Sequence, residues 1–224
     1  MGFRTFTFND VIYLIEAARW TILLALIAFI GGGIVGALVT LARISRNRFL
    51  RGFAIAYVEV LQGTPLLMQL FLWFFMLSLL LPVKLPALVV AAIALTLNAS
   101  SFFVEIWRGS IEAVARTQWE AAASIGMTRF EQIRHIIVPQ AFRIGLAPTV
   151  GIMVVVLKGT ALTALIGFVE VTRAGQLISG VTFQPLATFL VVAAIYLVLC
   201  LPIAELSHRI ERKVHVNRQS GVGP

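Results

Sequence analysis

Residues 120–139 read EAAASIGMTRFEQIRHIIVP, a polar, helix-prone island in an otherwise apolar chain. Thr117 with Glu120 three residues on, and Thr128 with Glu131 three residues on, repeat the pattern in which an N-cap hydroxyl and a carboxylate satisfy orphan backbone amides. That repetition predicts two short helices. Gly126, between them, permits a backbone conformation that other residues resist, and Pro139 is expected to end or kink the second helix. The segment 117–139 is therefore expected to form a helical hairpin outside the bilayer.

Outward from this island the chain is too apolar for a soluble fold, with 59% hydrophobic residues in 224 and a mean hydropathy of +0.95. The expected class is an all-α polytopic membrane protein. Cys200 is the single cysteine, so an intrachain disulfide is excluded. The net charge of +8 lies in short loops between apolar runs, without a soluble face of interleaved aromatics, which argues for topology signals and against nucleic acid. Between Arg4 and Asp10 there is no short apolar run ending in a small-residue cleavage site, so no removable signal peptide is expected.

A spanning helix needs about 20 mostly apolar residues. Five stretches qualify, at 20–41, 54–81, 85–104, 144–168 and 186–204, giving one transmembrane domain over 1–210 and a tail over 211–224. One set of loops holds 13 of the 18 Lys and Arg, including Arg43, Arg46, Arg48, Arg51, Arg108, Arg116, Arg129, Arg134, Arg143, Arg209 and Arg218; Arg4, Arg19, Lys84 and Arg173 fall on the other side. The positive-inside rule then places the N-terminus outside, and the hairpin and C-terminus in the cytoplasm.

The second stretch carries Glu59, Gln62, Pro65 and Gln69, and reads either as a kinked helix or as a short interfacial piece followed by a span. In the first, Gly32 and Gly36 form a small-xxx-small pair that lets another helix approach closely. Gly151, Gly159 and Gly167, at spacings of eight, are expected to share one face of the fourth span.

His135, His208 and His215 lie in loop segments, with no cysteine or carboxylate cluster at metal-ligand spacing, and nothing points to an enzyme. Lys158-Gly159-Thr160 reverses the order of a phosphate-binding loop and follows no strand, so it does not predict ATP binding by this chain. Lys158 itself is an ionisable group inside a span, which makes it a functional candidate by default. Its possible counter-charges are Glu59, Glu105 and Glu170; Thr160, Thr163, Asn98, Ser100, Ser101 and Gln62 are polar positions that can line the same path. The alternative is structural: ion pairing or snorkelling for the lysine, and bonding of the hydroxyls to neighbouring carbonyls.

Glu120-Ala121-Ala122, Gly126, Ile136 and Val138-Pro139 reproduce the spacing of the EAA loop of ATP-binding-cassette importer permeases, written EAA-x3-G-x9-I-x-LP, with Val138 in place of its Leu. Gln62-Gly63-Thr64-Pro65-Leu66-Leu67 resembles the RGTPLL segment of the polar amino-acid uptake branch. Glu105-Ile106-Trp107-Arg108-Gly109 resembles its AEIxRG, and Val138-Pro139-Gln140-Ala141 its LPQA. The chain is thus similar to histidine, glutamine and arginine permeases of the type I importer fold.

The resemblance implies five spans per subunit and a second permease subunit, identical or homologous. It also implies two cytoplasmic ATP-binding subunits, holding ATP and Mg and docked on the EAA hairpin, and a periplasmic or extracellular substrate-binding protein. Glu120, Ala121, Ala122, Gly126 and Pro139 would form the ATPase contact, in a bacterial inner membrane. Where many members read LKDTSL, this chain reads Leu157-Lys158-Gly159-Thr160-Ala161-Leu162, losing an acid and a hydroxyl, and Thr117 replaces a common Gly. The lost acid argues against a cationic cargo, while Lys158 suits a carboxylate-bearing one. The other classes that fit are an ion-coupled secondary transporter, an importer of a related solute such as an opine or compatible solute, and a non-transport scaffold.

Overall fold

The structure, a computed structural model, describes residues 4–80, 82 and 85–219, with side chains as far as 213. Lys84, the expected end of the second span at Leu81, the side chains of His215 and Arg218, and the end of the tail fall outside the described residues. Nearly all of the described residues are helical, and none of them forms a strand. The α-helices are α1 Phe8–Arg43, α2 Arg48–Gly63, α3 Leu66–Leu80, α4 Ala87–Glu112, α5 Arg116–Ser124, α6 Arg129–Glu131, α7 Val138–Gly159, α8 Val171–Thr182 and α9 Pro185–Gln219. Four helical stretches are each long and apolar enough to cross a bilayer, and α2 with α3 supplies a fifth if the bent pair counts as one.

The first helix begins well before the expected residue 20. Asp10, buried in its first turn, accepts from the Thr7 amide at 2.8 Å and the Thr7 hydroxyl at 2.9 Å, while Arg4 reaches it at 2.6 Å. This capping arrangement nucleates the helix twelve residues ahead of the apolar run.

α1 and α4 form the central contact. Gly32 and Gly36 allow it: a Cβ on Gly32 would lie 2.9 Å from the Ala99 Cβ, and one on Gly36 would lie 2.8 Å from the Phe103 Cβ. The two backbones meet with almost no side chain between them, as the small-xxx-small pair predicts. Leu24, Ala25, Ala28, Leu95, Ala99 and Phe103 close the core around the contact, and α3 and α7 add Leu70, Val156 and Leu157.

Residues 54–81 are not one helix. α2 and α3 meet at a 107° bend, because Pro65 has no amide to continue the ladder and holds Thr64 in an extended conformation, φ −116°, ψ 140°. The three glycines of the fourth span do not share a face either. Gly151 faces Ser207 of α9, and Gly159 faces Leu66 and Leu95. Gly167, at φ +85°, terminates a tight 3-10 stretch, Thr160–Ile166, that shifts the helical phase.

Replacing Gly36 by leucine forces α1 from α4 and is expected to cost about 1–3 kcal/mol, the usual penalty of overpacking. Gly33 has open space around its Cβ position, so Gly33→Leu serves as the control. Thermal unfolding in detergent checks this: Gly36→Leu lowers the midpoint and Gly33→Leu does not, and equal midpoints would remove the close contact from the account.

Candidate coupling hairpin and polar break

The hairpin forms, with two differences from expectation. α5 starts at Arg116, capped by Ala115 with no side-chain bond, so Thr117 and Glu120 lie inside the helix and make no capping box. Buried Val114, packed with Ile137 and Ala141, anchors the preceding turn, and the helix follows at once. Glu120 instead approaches Arg116, with 3.6 Å between Oε1 and Nε, in an exposed pair. The second box is present: Glu131 accepts from the Thr128 amide and hydroxyl, each at 2.7 Å, and its own amide donates to the Thr128 hydroxyl at 3.4 Å.

The turn between the helices depends on Gly126, at φ +80°. Its amide donates to Ala123 O at 3.0 Å and that of Met127 to Ala122 O at 3.2 Å, the paired bonds of a Schellman cap, which places glycine at the left-handed position. Inside the hairpin, Ala122 is buried, Gln132 Nε2 donates to Met127 O at 2.8 Å, and the Arg129 guanidinium lies 5.9 Å from the Trp119 ring. The tip presents Ile125 and Phe130, 76% and 69% exposed, beside exposed Glu120, Ala121 and Ala123. Two large apolar side chains are thus exposed at the tip of a polar hairpin.

Pro139 does not end the second helix. α6 continues through a wide π turn, Gln132–Ile137, directly into α7. A proline ring inside a helix collides with the carbonyl four residues back and provides no donor, and the wider turn accommodates both defects. One helical rod of 38 residues, Arg129–Ile166, therefore runs from the hairpin tip through the fourth span.

The break between α2 and α3 is the second site. Gln69, 4% exposed, donates through Nε2 to Leu61 O at 2.6 Å and to Thr64 O at 3.1 Å. Leu61 O is the carbonyl that Pro65 leaves without an amide, so the Gln69 side chain replaces the missing donor. Asn98 Nδ2 donates to Gln69 Oε1 at 3.2 Å, Gln62 Nε2 to Ser101 O at 3.1 Å, and the Tyr57 and Ser100 hydroxyls lie 2.6 Å apart. Such satisfied non-helical backbone occurs at membrane depth only where it is buried in protein or lines a cavity. The structure thus joins Gln62 and Asn98 and adds Gln69 and Tyr57, which the sequence analysis left out of its candidate path. A glutamine four residues after a proline in an apolar run is the signal that would have found Gln69.

Glu105 stands apart from that cluster, two turns further along α4. It accepts from Arg108 Nε at 3.1 Å, and Arg43 of α1 lies 4.0 Å away. Thr160 and Thr163, fully buried, donate to Leu157 O at 2.7 Å and Thr160 O at 2.6 Å. Lys158-Gly159-Thr160 lies within continuous helical backbone and leaves no loop of free amides for a phosphate.

Glu170, fully buried, caps α8 by accepting from the amides of Thr172 and Arg173, both at 2.9 Å, and from the Tyr196 hydroxyl at 2.7 Å. Burial pushes its carboxyl up from the ordinary value, against these donors. Lys158 is exposed on the subunit and makes no ion pair among the described residues, so none of its three expected counter-charges holds it.

Residues 30–216 match the family described as "Binding-protein-dependent transport system inner membrane component". The chain belongs to this family. Among its relatives it is similar to the "L-cystine transport system permease protein TcyB" of Bacillus subtilis, 36% identical over 87% of this chain and 83% of that one. It is likewise similar to the "Probable amino-acid ABC transporter permease protein YckA" of the same organism, 30% identical over 90% and 88%. A solved structure described as "Crystal structure of an amino acid ABC transporter with histidines" superposes with a TM-score of 0.86 at 33% identity, covering 94% of this chain and all of that one. The fold is that of a type I ABC importer permease.

Gln69→Leu leaves Leu61 O and Asn98 Nδ2 without their partner. The cost is expected at about 1–3 kcal/mol, that of an unsatisfied buried polar group. A lower unfolding midpoint, with Gln69→Glu also below wild type because a carboxylate cannot donate to Leu61 O, would bear this out. An unchanged midpoint in Gln69→Leu would show that the break needs no substitute donor.

Proposed function

We propose that this chain is the membrane subunit of an ATP-driven importer of a polar amino acid, and that segment 117–139 is where a separate ATP-binding subunit grips it. The observation that carries this reading is the continuous rod from Thr128 to Ile166, with exposed Ile125, Phe130 and Glu120 at its free end. A push on the hairpin reaches the fourth span without passing through a flexible loop. The charge bias of the loops supports a cytoplasmic hairpin, the side on which ATP and Mg, held by the partner, supply the free energy. The cargo class rests on the amino-acid and cystine permeases among the relatives and on Lys158.

Exposed charge on a transmembrane helix is costly in lipid, so Lys158 is best accommodated facing a watery path between this chain and a second permease subunit, identical or homologous. Closure of the ATP-binding pair would draw the hairpins together and rock the spans between inward-facing and outward-facing states. A substrate-binding protein would deliver cargo at the end opposite the hairpin.

Purification with the co-expressed ATP-binding and substrate-binding partners tests the reading. ATP hydrolysis by the complex is expected to rise when the binding protein carries an amino acid; uptake that follows an ion gradient and needs no ATPase would overturn it. Glu120→Lys and Gly126→Val are expected to leave the protein in the membrane but to uncouple hydrolysis from uptake. Valine at the left-handed position costs on the order of 1–3 kcal/mol locally. Lys158→Ala is expected to weaken uptake of carboxylate-bearing cargo several-fold while membrane insertion stays normal; wild-type uptake kinetics would assign the lysine a structural place.

A further inference from the structure

An apolar groove of about 400 Å³ opens beside the base of the hairpin, where the end of α1, α4, the π turn and the start of α7 meet. Leu41, Ile44, Trp107, Ile133, Phe142 and Leu146 are among its lining residues. Leu41 and Phe142 are more than 60% exposed at its edge, so the groove is open along its side. Trp107 is fixed within it by donating from Nε1 to the Thr149 hydroxyl at 3.0 Å.

Two arginines stand at its hairpin end: Arg46 follows the lining Ile44 by two residues, and Arg134 follows the lining Ile133. Both are exposed, and neither makes an ion pair among the described residues. An apolar slot within the span, edged by unpaired cations at one end of the bundle, matches the two ends of a phospholipid. A second copy of this chain fits less well, since it would bring the same arginines to the same depth.

We propose that this groove binds one acyl chain of an anionic phospholipid, with the headgroup phosphate held by Arg46 and Arg134. The leaflet is the cytoplasmic one, which rests on the orientation proposed above. The site has a consequence for coupling, because Ile133 belongs to the π turn that joins the hairpin to the fourth span. A chain seated there fills the space between the closely packed pair α1 and α4 and the segment that carries the motion, so lipid occupancy stiffens the joint.

Native mass spectrometry of the assembled transporter, released from vesicles of equal parts phosphatidylglycerol and phosphatidylcholine, tests the site. The expected result is one retained phosphatidylglycerol per copy of this chain. Ala37→Phe, which fills the groove from an exposed position on its wall, is expected to remove it. Joint replacement of Arg46 and Arg134 by glutamine is expected to abolish the preference for phosphatidylglycerol.

The proposal is overturned if Ala37→Phe and wild type carry the same lipids, if the retained lipid shows no headgroup preference, or if the groove is empty because a partner subunit covers it. The same spectra report whether the ATP-binding subunits are present, so failure of the transporter reading is seen separately from failure of the lipid site.

Discussion

The close approach of α1 and α4 at Gly32 and Gly36 is the constraint on which the remainder of the subunit depends. With no room for a Cβ at either glycine, the two helices pack backbone to backbone. Everything else is arranged on this pair. α2 and α3 lie along α4 through Gln62, Gln69 and Tyr57, and α7 is tied to α4 by Trp107 and Thr149. Phe103 stacks on Trp107 and meets Phe29 edge to face, extending the same contact toward the hairpin end. In the proposed function this pair is the frame against which the other spans would move.

Two prolines act in opposite ways on that frame. Pro65 breaks its span, and the lost donor is replaced by the amide of Gln69. Pro139 leaves its helix unbroken because a π turn immediately ahead of it absorbs the defect. The difference is in what surrounds each one. Thr64 is held extended before Pro65, whereas the residues before Pro139 are already helical and are held by Val114, Ile137 and Ala141 at the hairpin base. The result is one bent span whose break is held by buried Gln69 and one continuous helical rod that joins the hairpin to the bundle.

Much of this was legible in the residues themselves. Apolar length located the helices, Gly32 and Gly36 announced a close contact, and Thr128, Glu131 and Gly126 announced the turn, since each rests on local geometry. The features that escaped have separate causes. Thr117 lost its capping role because buried Val114 set the start of α5 two residues earlier. The glycines at spacings of eight have no common face because eight residues at about 100° each overrun two turns by about 80°, and the 3-10 stretch after Gly159 moves Gly167 off the phase as well. Glu105 has the composition of a path residue, but Arg108 on its own helix binds it away from Asn98 and Gln62. That capture is local, an i,i+3 pair on α4, and the spacing of the two residues announces it.

In the proposed function the hairpin is the part of the chain that a cytoplasmic ATP-binding subunit would hold, with the helical rod behind it continuing into the fourth span. Its exposed apolar tip should be covered when that partner is present. In a Cys200→Ser background, the rate at which a membrane-impermeant thiol reagent modifies Ile125→Cys measures this directly. The account predicts modification only from the cytoplasmic side, slowed at least several-fold once the ATP-binding subunit is assembled. Modification from the outer side, or an identical rate with and without that subunit, would contradict it.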